Sequence, residues 1–196
     1  MNKYFESSYL AFEITSSKNL GFVLEAFEQL RYLEENDNNT WKYRDTSDYY
    51  FNQRPIGGDR PFSILNVPIL YTDLTATLLN HGIVPGETNV FVGDQHMDKY
   101  RQHIENASCF SNSSYAIFFH SENDIVKYMW LDYNEDLSIE NDRFAISKLL
   151  NHLGEKYALI LIDWYKKIII DLSVKENTMQ YLIDTAGNIG IANSGA

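Results

Sequence analysis

The chain predicts an α+β fold: one domain over residues 1–196, with a largely antiparallel sheet built from hairpins and helices packed against it. Three observations lead there. Runs rich in β-branched and aromatic residues come in pairs joined by short polar connections, as hairpin strands do. Between them lie stretches with apolar residues at helical spacing, closed by turn residues. Strands and helices are interspersed, and the clearest strand pairs are neighbours in sequence, which favours this architecture over a doubly wound parallel sheet. A chain of 196 residues and 22.8 kDa is long enough for one substantial core.

The most ordered stretch is Tyr157–Ile183. Tyr157–Trp164 and Ile168–Leu172 are nearly continuous apolar runs joined by Tyr165, Lys166 and Lys167, a hairpin whose strands suit cover on both faces. Ser173 and Glu176 then have the spacing of a capping box, with Val174, Met179, Leu182 and Ile183 at helical positions. Gly187–Ala196 is small and polar and predicts a mobile tail.

From the start, Tyr9–Ile14 alternates and predicts a half-buried strand. Ser16 or Ser17 can cap a helix to about Glu35 whose apolar face is Leu20, Val23, Leu24, Phe27 and Leu30. Residues 41–61 are polar and tyrosine-rich and form the one long irregular segment. Phe62–Leu70 is apolar but holds Pro68, hence an edge strand or extended segment. Thr72 can cap a helix with Leu74, Leu78 and Leu79, stopped at Gly82. Val90–Val92 predicts a short strand, Asp94–Glu105 a helix, and Asn106–Ser114 a polar loop holding Cys109. Tyr115–His120 and Ile125–Asp132 make a second hairpin, followed by the acidic loop Tyr133–Glu140 and a helix from Asn141 to Leu153 ending at Gly154.

Composition narrows the function. With 27 acidic and 16 basic residues the net charge is −11, which repels phosphate backbones and attracts a basic protein; direct nucleic-acid binding is therefore disfavoured. The 14 tyrosines suit half-wet contact surfaces. A lone Cys109, no charged-then-apolar leader and no long uncharged apolar run predict a cytoplasmic protein that does not enter a membrane.

No stretch carries a catalytic signature. There is no phosphate-binding GxxxxGK[ST], no GxSxG, no GxGxxG and no SxxK. Asp132–Asp136 opens like a calcium loop, but Leu137 stands at the glycine position and Arg143 where a bidentate carboxylate is needed. His96 and His103 share a helix face nearly two turns apart, without HExxH or HxxxH spacing. Neither a metal nor a cofactor is expected. The Arg54–Arg60 loop, with Gly57 and Gly58, offers donors for an anion, or is simply a turn pinned by Pro55 and Pro61.

The carboxylates of Asp132, Glu135, Asp136, Glu140 and Asp142 gather around Tyr133, with Tyr133 or Trp130 as aromatic anchor for a docking patch. The plain alternative is a solvated loop and a helix start, where acids complement the helix dipole. A second candidate contact is Asp45, Asp48, Tyr49 and Tyr50 in the irregular loop.

Two segments carry a resemblance. One is Ile64-Leu-Asn-Val-Pro68-Ile-Leu, then Leu74, Leu78-Leu79-Asn-His-Gly82-Ile and Phe91; the other is Leu159-Ile-Leu-Ile-Asp-Trp164 with the strand and helix after it. Both resemble bacterial immunity proteins of polymorphic-toxin and contact-dependent growth inhibition systems. The resemblance implies a non-catalytic cytosolic inhibitor that binds a toxin domain, and no functional residue is carried over by it. The expectation is thus an immunity protein that blocks a basic toxin domain sterically and electrostatically through Asp132, Tyr133, Glu135, Asp136, Glu140, Asp45, Asp48, Tyr49 and Tyr50. The alternatives are a small hydrolase or transferase using the Arg54–Arg60 loop with His96 and His103, and a structural or phage-encoded assembly protein.

Overall fold

In the computed structural model the described residues are 4–5, 12–36, 68–86, 88–89, 107–133 and 140–192. The fold is α+β, and its centre is the first long strand, not the hairpin near the end of the chain. β2 (Phe12–Ser16) lies between β7 (Ile125–Tyr133) and β8 (Leu159–Asp163), antiparallel to both. Outward from β7 come β6 (Tyr115–Glu122), β5 (Ser108–Ser111) and β3 (Val84–Pro85); outward from β8 comes β9 (Ile168–Asp171). Every pairing in this seven-stranded sheet is antiparallel. A separate short ladder pairs β1 (Tyr4–Phe5) in parallel with β4 (Thr88–Asn89).

The strand expected at Tyr9–Ile14 is described from Phe12, and residues 9–11 lie outside the described residues. It is not half-buried. Glu13 and Thr15 are covered on one face, Ile14 and Ser16 on the other, because both sheet faces at the centre are packed.

On one face Ile14, Ile117, Phe119, Met129 and Leu161 meet α2 (Tyr71–Asn80), α3 (Glu140–Tyr157) and α4 (Lys175–Ala192) in the main core. On the other, α1 (Leu20–Asn36) lays Val23, Ala26, Phe27 and Leu30 on Ile160, Ile162 and Trp164, while Cys109, Ala116, Phe118 and Trp130 form a smaller cluster. Phe27 meets Trp164 edge-on at 5.4 Å, and Phe118 stacks flat on Trp130 at 5.3 Å. Antiparallel partners share a face, so the register draws one row across six strands: Cys109, Phe118, Trp130, Glu13, Ile162 and Ile169.

Several local expectations are corrected. The polar loop around Cys109 is strand β5: pairing with β6 buries Cys109 and Phe110 on opposite faces and leaves Ser108 and Ser111 at its ends. Helix α3 does not stop at Gly154 but runs on to Tyr157, which is therefore no strand residue; Ala158, with φ of 53°, makes the turn into β8. Gly154 is there for space. A Cβ on it would come 2.2 Å from the Leu172 carbonyl carbon. Ser173 stands one residue too early to cap α4, which begins at Lys175 with the Val174 carbonyl accepting the Asn177 N–H at 3.1 Å, and the Ser173 N–H and hydroxyl both donate to Asp171 Oδ1, at 2.9 and 2.6 Å. Leu70, not Thr72, occupies the N-cap of α2, and its neighbour Ile69 accepts the Val126 N–H at 2.9 Å. The tail predicted from Gly187 is helical as far as Ala192.

Other expectations stand. Ser16 caps the turn before α1, its Oγ accepting the Lys18 N–H at 3.3 Å. Gly82 closes α2 with φ of 76°, a left-handed geometry that suits glycine. Asn123 and Asp124, both at positive φ, form the two-residue turn of the β6–β7 hairpin. The expected strand Val90–Val92 and helix Asp94–Glu105 lie outside the described residues.

Candidate functional site

The acidic stretch is held between two rigid elements. β7 delivers Asp132 on the sheet face that also carries Trp130, with Asp132 partly buried opposite Ala116. Tyr133 is the last residue of β7, paired through its backbone with Tyr115. Glu135 and Asp136 lie outside the described residues. α3 then opens with exposed Glu140 and with Asp142, both in its first turn, where carboxylates complement the positive end of the helix dipole.

Asp142 is committed to structure. Its Oδ2 accepts the hydroxyl of buried Ser114, tying the start of α3 to the β5–β6 turn. That turn is itself ordered by Asn112, whose Oδ1 accepts the N–H groups of Ser114 and Tyr115 at 2.8 and 3.0 Å. Trp130 is removed as an anchor: it is only 1% exposed and packs against Phe118. The structure supplies a different aromatic. Phe144, one turn after Glu140, is 52% exposed, on the side of the helix opposite buried Ile146, Leu149, Leu150 and Leu153. Lys175 at the start of α4 stands 5.9 Å from its ring, and exposed Val174 precedes that lysine.

The remaining candidates, Asp45, Asp48, Tyr49, Tyr50, the Arg54–Arg60 loop, His96 and His103, lie outside the described residues.

Two further polar groupings fall within them. At the centre of the sheet, Trp164 Nε1 donates to Glu13 Oε2 at 3.1 Å, and Asp163 accepts Tyr181 Oη at 2.8 Å and the Lys166 N–H at 2.9 Å. Both carboxyls are buried and both are hydrogen-bonded, as burial requires. They pin β2, β8 and α4 together. At the surface, Tyr157 Oη and Lys156 Nζ reach Asp73 Oδ2 at 2.9 and 3.0 Å, joining α3 to α2. The hydrogen bond from Lys156, seconded by that from Tyr157, holds the Asp73 carboxyl below the ordinary aspartate range, while burial pushes the Tyr157 phenol up. A phenol held in its neutral form is a tether, not a poised acid.

His81 and His152 lie 5.3 Å apart between ring centres, and burial followed by repulsion from His152 and Lys148 lowers the His81 pKa. Among the described residues no three His, Cys, Asp or Glu side chains come together to hold a metal ion. No helix among them is long and apolar enough to cross a membrane. The chain matches no family model, no curated protein and no solved structure.

Proposed function

We propose that the protein is a non-catalytic binding protein that neutralises a basic toxin domain, in the manner of the bacterial immunity proteins its sequence resembles, and that it meets this partner at the β7–α3 junction. The observation that carries the reading is the pairing of exposed Glu140 with exposed Phe144 on one turn of α3, in a chain of net charge −11. The two features divide the work. An acidic field accelerates encounter with a basic surface and does little for residence time. A protruding aromatic ring offers the apolar area that holds a partner once docked. Asp142, bonded to Ser114, keeps the helix end in place beneath them. Inhibition is by cover of the partner's working surface, without chemistry of its own.

The test is affinity capture of the tagged chain from its own organism's lysate at low and moderate salt. The expected catch is a stoichiometric basic protein, toxic when expressed alone, whose association slows as salt rises. Phe144→Ala should weaken the complex by about 2 kcal/mol, mainly by faster dissociation. Amide replacement of Asp132, Glu135, Asp136 and Glu140 together should slow association and flatten its salt dependence. A partner held as tightly, with the same salt dependence, by both variants would move the contact elsewhere on the molecule. No basic partner at all, despite expression of the neighbouring genes, would end the reading.

A further inference from the structure

The seam between α2 and α3 carries an inference independent of the reading above. We propose that His81 and His152 form an acid-sensitive latch: near neutral pH it holds the end of α2, and with it edge strand β3, and it loosens both as the pH falls. The seam is closed differently at its two ends. At the start of α2, Asp73 accepts Lys156 and Tyr157 in an ion pair and a hydrogen bond. At the end of α2, His81 lies edge-on to His152 with ring centres 5.3 Å apart. Among the described residues neither imidazole has a hydrogen-bond partner. Contact between neutral rings is all that closes this end, and a proton changes its character.

The charges that act on His81 are positive. Burial is the larger cause that lowers its pKa, followed by His152 and then by Lys148, one turn before His152 on α3. Lys156, one turn after His152, is taken by Asp73, and Glu155 does not offset the other two. Asp73 is the only acid on α2 and lies at its far end. Among the described residues β3 and β5 carry no charged side chain. The negative end of the α2 dipole would favour a proton, but its last carbonyls are already engaged. Those of Thr77, Leu78 and Leu79 accept the N–H groups of His81, Gly82 and Ile83.

An imidazole whose folded pKa lies below its ordinary 6.5 adds stability that is complete above that value. That stability is lost as the pH falls through the lower, folded value. The Asp73 tether survives this step, because its carboxyl titrates below its ordinary 3.8. Only the His81 end is therefore loosened, and it leads to a weak place. Gly82 and Ile83 alone separate His81 from β3, the outermost strand, whose two residues are exposed and include Pro85. β3 is held through its pairing with Ser111 and Phe110 and by the Gly86 N–H on the Cys109 carbonyl at 2.9 Å. Leu74, Leu78 and Ile83 remain buried in the main core, so acid raises the frequency of local opening without unfolding the domain.

The test is amide hydrogen exchange of the full chain at about pH 7.5 and about pH 5.5, either side of the ordinary imidazole value, with intrinsic rates corrected for pH. Protection of Gly82, Ile83 and Gly86 should fall several-fold on acidification, while that of Phe118 and Leu131 at the sheet centre holds. His81→Gln should abolish the fall. Lys148→Glu, at an exposed position, should reduce it by replacing a repelling charge with an attracting one. Should His81→Gln fail to fold, Lys148→Glu still decides. Equal protection of the wild type at both pH values, an equal fall throughout the sheet, or an unchanged fall in either variant would each overturn the proposal.

Discussion

The two edges of the sheet end in opposite ways, and the contrast shows two methods of finishing an antiparallel sheet. At β3 the chain stops pairing after Val84 and Pro85, and Gly86 N–H closes the edge on the Cys109 carbonyl at 2.9 Å. The proline removes a donor and the strand simply runs out. At β9 pairing is not blunted but braced from within. Asn151 of α3 donates its amide to the carbonyls of Leu172 and Ser173 at 3.0 and 3.2 Å, Tyr181 of α4 holds Asp163, and Gly154 lets α3 lie against the backbone of Leu172. One edge is limited by its own sequence, the other by what packs behind it. Substitutions near β9 should therefore cost more than equivalent ones near β3.

The two edge glycines give the sharpest form of that comparison. Gly154→Ala drives a methyl into the Leu172 backbone, which cannot turn aside, and should cost about 3 kcal/mol or more, read as a lower urea midpoint at unchanged slope. Tyr181→Phe comes next. It strips a hydrogen bond from the buried Asp163 carboxyl and should cost about 2 kcal/mol by the same measurement. Asn151→Ala removes both of its amide contacts at the end of β9 and should cost about 1 kcal/mol, with faster amide exchange at Leu172 than anywhere on β6. Gly86→Ala should fall within about 0.5 kcal/mol of wild type. Its methyl meets chiefly the Ser111 hydroxyl, at 2.4 Å, and a serine side chain can rotate away. Equal effects from the two glycine variants would erase the distinction between the edges.

Acid should distinguish the β3 side in its own way. The Asp73 carboxyl titrates below its unfolded value of about 3.8, so the α2–α3 tether contributes fully above that pH and is lost as pH falls through the lower, folded value. Lys156→Met removes the largest cause of the shift. The variant should lose less stability than wild type between neutral pH and the acid limb, by denaturation at matched pH values. An unchanged acid limb would show that Asp73 is not linked to folding.

Much of the fold was legible before the structure. The β6–β7 and β8–β9 hairpins follow from paired apolar runs with polar turns, and α1, α2 and α3 from their helical spacing. Errors gathered where a local signal met a long-range demand. Gly154 has the chemistry of a helix stop, yet the approach of Leu172 makes it a spacing residue inside the helix. Ser108–Ser111 is too short and too polar to announce a strand, and becomes one because β6 offers it an edge. Ser173 and Glu176 have capping-box spacing, but Asp171 takes the serine first. At the candidate site, Asp132 and Glu140 were readable from charge density alone. The exposure of Phe144 was readable too, since helical spacing sets it opposite Ile146, Leu149, Leu150 and Leu153; the burial of Trp130 was not, because both faces of the sheet are covered there.

The sequence by itself determined the α+β class, the hairpins, the principal helices and the acidic field. These are properties of residues near one another along the chain, and local chemistry suffices for them. The tertiary structure alone decided that β2 enters between β7 and β8, that Glu13 is buried against Trp164, and that β9 lies at the end of the sheet order. Those outcomes depend on which distant strands pair. Pairing is settled by the summed burial of both sheet faces, a quantity no window of sequence contains.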